Sequence, residues 1–213
     1  MTLHEIVRDG EGSRLAEGQL ATPKMLIRLL IELGVSVPVE ILPERVLART
    51  PDVIAWWAPA SERTMFFSDQ GDDAELRRFN GARYPQPPLL FKACGTRLWI
   101  RALRDDARPT GTTNLYIAPY WNCYDNGNVC TGTMRIPRKK SVEALASWEE
   151  SFFQSEFTHA LGNSKQTEFS GGLLGMWETL RGKKHFPPQY LADAGESLAA
   201  FVTSHEHQKR NRT

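Results

Sequence analysis

Asn122 and Cys130 are the side chains of this sequence best suited to chemistry on an acyl group. Both lie in Tyr120-Trp121-Asn122-Cys123-Tyr124-Asp125-Asn126-Gly127-Asn128-Val129-Cys130. Asn126-Gly127 is a tight-turn signal, because both central positions of such a turn favour positive φ. The turn brings Asn122 back toward Cys130, so that an amide and a thiol become neighbours. A cysteine sulfur carries an acyl group, and an amide N–H stabilises the oxyanion formed during transfer. One such donor is typically worth on the order of 10²–10³ in rate. The same residues also make a plain hairpin with a buried cysteine, and the local pattern leaves both readings open.

The remaining chemistry narrows by spacing. Cys94 lies in an apolar strand and is a small buried hydrophobe. Cys123 alternates with neighbours facing the other way and is structural. Cys130 precedes Thr131-Gly132-Thr133, small residues that leave its sulfur accessible. Three cysteines without regular spacing do not make a disulfide framework. Cys123 and Cys130 lack zinc-knuckle spacing, no histidine pair lies nearby at helical spacing, and His205 and His207 sit in a basic tail, so no metal is expected. There is no Gly-x-Ser-x-Gly elbow and no His-Glu-x-x-His. Of the five histidines, His159 lies in a segment expected to fold near the body of the protein. It pairs with Cys130 in principle as in a Cys-His protease, without a family signature. Gly171-Gly172-Leu173-Leu174-Gly175 lacks the Lys-Ser/Thr of a phosphate loop and reads as a flexible hinge. No cofactor is expected.

The chain that positions these groups has 213 residues, 41% of them hydrophobic, enough to bury a core. The net charge of +1 gives no electrostatic case for nucleic acid or acidic membranes. The longest apolar run, near Met25 to Val39, is interrupted by Arg28, Glu32 and Gly34 and does not span a bilayer. The first residues lack a secretory pattern. A reducing cytoplasm is the default expectation, and free thiols are expected there.

Residues 1–21 form a Gly- and charge-rich extension with weak strand potential at Leu3 to Val7. Thr22-Pro23 starts a helix, with Thr as cap and Pro at its first position. Met25, Leu26, Leu29, Leu30 and Leu33 share the face expected to pack on a core, and Gly34 ends the helix. Leu42 to Thr50 reads as a connector. Val53 to Ala58 is a strand, and Thr64 to Phe67 its hairpin partner across Pro59 to Glu62. The Trp56-Trp57 pair is core. A short helix is placed at Asp73 to Phe79. Tyr84-Pro85-Gln86-Pro87-Pro88 is an extended crossing, since prolines lack ladder donors. Leu89 to Cys94, Arg97 to Leu103 and Asn114 to Ala118 are strands, the second with one wet face. Ser141 caps a helix to Phe153, Ser155 to Gly172 is a polar loop, and Met176 to Leu180 is a helical turn. Pro187-Pro188 opens a last helix, Gln189 to Val202, before a frayed tail. Strands and helices segregated in this way define an α+β class.

At this point the sequence resembles a known family. Asn122 to Cys130 is similar to the active-site segment of ubiquitin-conjugating (E2) enzymes, in which His-Pro-Asn leads through a turn to Ile/Val-Cys. Asn122 matches the motif asparagine, and Cys130 the thioester-forming cysteine. Tyr84-Pro85-Gln86-Pro87-Pro88 resembles the family's Tyr-Pro-x-x-Pro-Pro crossing. Tyr120-Trp121 stand where the family has His-Pro, and its Trp-x-Pro after the cysteine is absent. These departures resemble divergent bacterial E2-like proteins, as in the PRTRC plasmid-type system (protein B) and anti-phage conjugation operons. Leu42 to Ala48, Trp56-Trp57 and Phe157-Thr158-His159 look similar to that group.

The resemblance implies an E2/UBC-like fold over residues 22–203, with a flexible tail at 204–213. It implies that an E1-like activating enzyme passes a ubiquitin-like protein to Cys130 as a thioester. An amine of a protein target then attacks, with a JAB-type deconjugating peptidase in the same system. Asn122 would stabilise the oxyanion or order the adjoining loop. Asp125 or the 155–165 loop would assist the amine, with His159 as base or loop anchor. The alternatives are a non-catalytic binding module on the same fold and a plasmid-system accessory protein.

Overall fold

The computed structural model describes residues 2–10, 12–34, 40–68, 74–137, 141–161 and 165–204. The tail histidines fall outside them. The chain forms two compact units, Met1–Ile41 and Leu42–Thr213.

In the first unit, Thr2–Leu3 (β1), Ile6–Asp9 (β2), Gly12–Leu15 (β3) and Gln19–Leu20 (β4) pair antiparallel, β1 with β4 and β2 with β3. Pro23–Glu32 (α1) follows. Thr22 caps it, its side chain accepting from the Met25 amide, and Pro23 takes the first turn where an N–H has no helical partner. Gly34, at φ +71°, lies beyond the C-cap. Within its own unit α1 finds no core to pack on, and no residue of the helix is buried. Two-stranded ribbons offer too little apolar surface to cover such a face.

The second unit adds Val46–Arg49 (β5), Val53–Ala58 (β6), Ser61–Phe67 (β7), Ala82–Gln86 (β8), Leu89–Cys94 (β9), Arg97–Ala102 (β10) and Asn114–Ile117 (β11). Then come Leu145–Phe153 (α2), Glu156–Phe157 (β12), Gly172–Leu180 (α3), Asp193–Ser197 (β13) and Leu198–Thr203 (α4). The main sheet runs β13-β11-β10-β9-β6-β5 with antiparallel pairings throughout. A second sheet runs β12-β7-β8, with β12 parallel to β7. The class is α+β, as the sequence indicates.

Several elements differ from the sequence expectation. Part of the Leu42 to Thr50 connector is strand β5, which pairs with β6. Because β5 and β9 occupy both edges of β6, β7 is not its hairpin partner but turns into the second sheet. The proline segment is half strand: Tyr84-Pro85-Gln86 end β8, an edge strand where a missing donor costs no ladder bond. The Gly171 to Gly175 hinge is the start of α3, whose first residue Gly172 sits at φ +67°. The last long helix is instead a 3-10 turn at Pro188–Tyr190, then β13, then the short α4. The open edge of β11 recruits β13 as strand.

Burial along β9 follows the two-residue period of a strand. Leu89, Phe91 and Ala93 enter the larger core with Trp56, while Leu90 enters a second cluster with Trp99, Leu115, Leu198 and Phe201. The strand face expected to be wet is therefore closed, with Leu198 and Phe201 of α4 in the cluster on it. Lys92 is buried there, its Nζ donating to the Phe201 carbonyl at 2.6 Å and to Ser204 Oγ at 2.9 Å. On the other face, Trp56 stacks on Phe91 and donates to Glu149 of α2, which Arg45 and Arg63 also pair.

Candidate active site

The Asn126-Gly127 turn closes a hairpin, though not a two-residue one. Cys123 bridges Val129, the Gly127 amide donates to the Tyr124 carbonyl at 2.8 Å, and Asn126 Oδ1 accepts from the Asn128 amide. Asp125 and Asn126 make the corner. Only Gly127 takes positive φ (+80°), where an added Cβ would lie 2.7 Å from the Ile100 carbonyl oxygen. The turn backs onto β10 beyond the part that β11 covers. Ile100 N donates to Gly127 O at 2.8 Å, and Val129 N to Leu98 O at 2.9 Å.

The hairpin brings together the pair that the sequence singles out. The Cys130 amide donates to the Asn122 carbonyl at 2.7 Å. Asn122 is the one non-glycine residue at positive φ (60°) among the described residues, a conformation that Asn tolerates better than most. Its backbone N–H donates to the His159 carbonyl at 3.0 Å. His159 and Cys130 therefore flank Asn122 on its two backbone sides. Asn122 is 5% exposed. Its Nδ2 donates to the Glu156 carbonyl at 2.9 Å, and its Oδ1 accepts from the Thr158 amide at 3.1 Å and the Thr158 hydroxyl at 2.8 Å. One amide hydrogen remains beyond these bonds. The Glu156 amide donates to Thr133 Oγ1, three residues past Cys130. The segment after α2 is thus bracketed by both sides of the cysteine loop.

The three thiols separate by environment. Cys130 is half-buried, and Cys123 is buried. Burial pushes the Cys123 thiol up to about 12; the Arg101 guanidinium offsets part of this, and nearby Cys130 adds to it. Cys94 is half-buried at the end of β9. Asp125 is half-buried in the turn, and its carbonyl accepts from Arg101 Nη1 at 2.9 Å.

Tyr120 and Trp121 build the platform under Asn122. Tyr120 is fully buried, stacks parallel to Phe157 and meets Phe152 edge-on. Its hydroxyl donates to Gln86 Oε1 at 2.8 Å, and Gln86 Nε2 donates to the Tyr84 carbonyl. Burial raises the Tyr120 hydroxyl well above the ordinary tyrosine value, with Cys123 adding to the rise. Trp121 packs edge-on against Phe67, and Trp177 of α3 donates to the Pro119 carbonyl at 2.8 Å.

Three contributors escaped the sequence reading. Arg101, on the strand face expected to be wet, is 3% exposed. It holds Glu196 of β13 through Nε (2.7 Å) and Nη2 (2.6 Å) while reaching the turn. Gln86, hidden in a proline run, anchors Tyr120. Thr158 holds the Asn122 amide. None has a local signal, because each acts on a residue distant in sequence. A cleft of about 550 Å³ beside the site is lined by Arg63, Phe66, Asn80, Phe153 and Glu156 among others. No three His, Cys, Asp or Glu side chains among the described residues could hold a metal ion. No described helix is long and apolar enough to cross a membrane.

A curled antiparallel sheet flanked by helices, with a cysteine loop led by an asparagine after the sheet, is an E2/UBC-like α+β arrangement. The chain belongs to the prokaryotic E2 family D, whose model matches residues 24–194. No curated protein and no solved structure matches it. Family membership gives the chain an E2-like role in conjugation of ubiquitin-like proteins, a process that involves such a protein and an E1-like partner.

Proposed function

We propose that this chain is a thioester carrier with Cys130 as its acyl-bearing residue. The Cys130 thiolate attacks the thioester that joins a ubiquitin-like C-terminus to an E1-like enzyme, and the E1 thiolate leaves. A primary amine of a protein target then forms its C–N bond to the same carbonyl, and the C–S bond electrons return to Cys130. Asn122 orders the 156–159 segment through both ends of its amide, and its remaining N–H serves the oxyanion. Asp125 shapes the turn and adds negative charge near the incoming amine. His159 faces the amine from the far side of Asn122. The system includes a JAB-type peptidase that reverses the reaction, and it belongs to a bacterial defence or plasmid-type operon.

The observation that carries this reading is the 2.7 Å bond from the Cys130 amide to the Asn122 carbonyl. It puts half-buried Cys130 one backbone bond from an asparagine held at positive φ, and such backbone strain is concentrated at functional sites. The test uses the cognate E1-like enzyme, its ubiquitin-like protein and ATP on non-reducing gels. A reducible adduct is expected for the wild type, an alkali-labile oxyester for Cys130→Ser, and none for Cys130→Ala. A reducible adduct persisting in Cys130→Ala would remove Cys130 from this role, and no adduct in any form would favour a non-catalytic module.

A further inference from the structure

Three hydrogen bonds around Asn122 determine where protons lie on His159. The Glu156 carbonyl can only accept, so the Asn122 atom 2.9 Å from it is the NH₂ group. The Thr158 backbone N–H can only donate, so the atom 3.1 Å from it is Oδ1. Both ends of the amide agree. The Thr158 hydroxyl, 2.8 Å from Oδ1, must then give its single hydrogen to that oxygen. With that hydrogen committed, Thr158 Oγ1 meets His159 Nδ1 at 2.8 Å only as an acceptor. Nδ1 must carry the proton, and a neutral imidazole carries only one. Nε2 is left with its lone pair on an exposed ring.

From this wiring we infer that Thr158 is a positioning residue that locks His159 as the Nδ1–H tautomer, so that Nε2 accepts the proton of the attacking amine. The inference rests on the function proposed above and deepens it. His159 and Cys130 are each one backbone hydrogen bond from Asn122. At sheet-like spacing their backbones lie about 10 Å apart. An acyl carbon on the sulfur and an amine nitrogen bridge that gap over Asn122. As the C–N bond forms and the C–S bond breaks, the nitrogen sheds one proton to Nε2. The imidazolium then returns it to the Cys130 thiolate or to water. An Nε2–H tautomer would present a donor at this point and block the step.

The direct test is long-range ¹H–¹⁵N correlation on the full chain labelled with ¹⁵N-histidine, at a pH where the ring is neutral, with His159→Gln identifying the signal. The wild type is expected to show a protonated Nδ1 and a bare Nε2. Thr158→Ser keeps that pattern, and Thr158→Val switches the ring to the Nε2–H form that an unrestrained imidazole prefers. An Nε2–H wild-type ring, or a tautomer indifferent to Thr158→Val, overturns the inference; the wild-type spectrum decides even if the valine variant does not fold. Single-turnover discharge of the Cys130 thioester to free lysine provides the kinetic arm. It is expected to slow by about tenfold in Thr158→Val and to recover in Thr158→Ser, in the range of general-base effects. Equal rates in all three would remove His159 as base. Failure to load Cys130 at all would count against the carrier function, whereas the ring-proton result stands independently of loading.

Discussion

Gly127 shows how narrowly the cysteine loop is specified at the level of one residue. Its φ of +80° and the Ile100 carbonyl 2.7 Å from a would-be Cβ exclude any side chain without backbone movement. Gly127→Ala is expected to cost about 1–3 kcal/mol from the dihedral alone, with more from the clash. Chemical denaturation measures the loss, and thioester formation should fall with it. Cys123 offers a second residue-scale test. Its thiol is pushed up to about 12 from an ordinary 9.0, so the folded state retains a proton that the unfolded chain releases. Its contribution to stability is complete below pH 9 and falls as pH rises from there toward 12, by about 1.4 kcal/mol per unit. The stability advantage of wild type over Cys123→Ala should narrow with that slope in alkaline denaturation series. At pH 8 in the native state, iodoacetamide should leave Cys123 unmodified while labelling Cys130. The sequence assigned these two thiols their different fates from strand alternation and the small residues after Cys130. It did not locate the proton wiring through Thr158, because hydroxyl direction depends on partners that meet only in the fold.

Between elements, the site hangs on β10. One strand supports the turn through its Ile100 and Leu98 backbone, and Arg101 ties that turn to β13 through Glu196. Removing the cation takes away the guanidinium that holds Glu196 and the Asp125 carbonyl together. Breaking a buried pair from one side typically costs about 3–5 kcal/mol. Arg101→Met should therefore be strongly destabilising, and adding Glu196→Leu should return part of the loss; the four-way comparison by urea unfolding gives the coupling. A purely additive result would mean the ion pair contributes nothing beyond burial. The strands themselves were legible, since β6, β9, β10 and β11 fall where alternation and turn residues put them. The sheet partners were not. Period-2 patterning tells which residues share a face but not which strand lies alongside, and so β7 was assigned to the wrong edge. The wet face assigned to β10 failed for a related reason: Leu198 and Phe201, which close it, arrive about a hundred residues later.

At the scale of the molecule, stability and family membership draw different boundaries. Among the described residues, both apolar cores are built from residues at or after Val46, and no residue of α1 is buried. The family match nevertheless begins at residue 24 and takes in α1. The family resemblance placed α1 within the conjugating domain, while its amphipathic pattern records an apolar face without saying what covers it. If the cores alone hold the second unit together, a fragment of residues 42–213 should unfold cooperatively, with a melting temperature within a few degrees of the full chain. Its Cys130 should keep the same iodoacetamide reactivity, because the hairpin, Arg101 and the 156–159 segment all lie within it. A fragment that is molten by near-ultraviolet circular dichroism would instead show that the first 41 residues complete the fold. Folding retained with thioester formation lost would assign α1 to the encounter with the activating enzyme, a separation of stability from function that only this truncation can make.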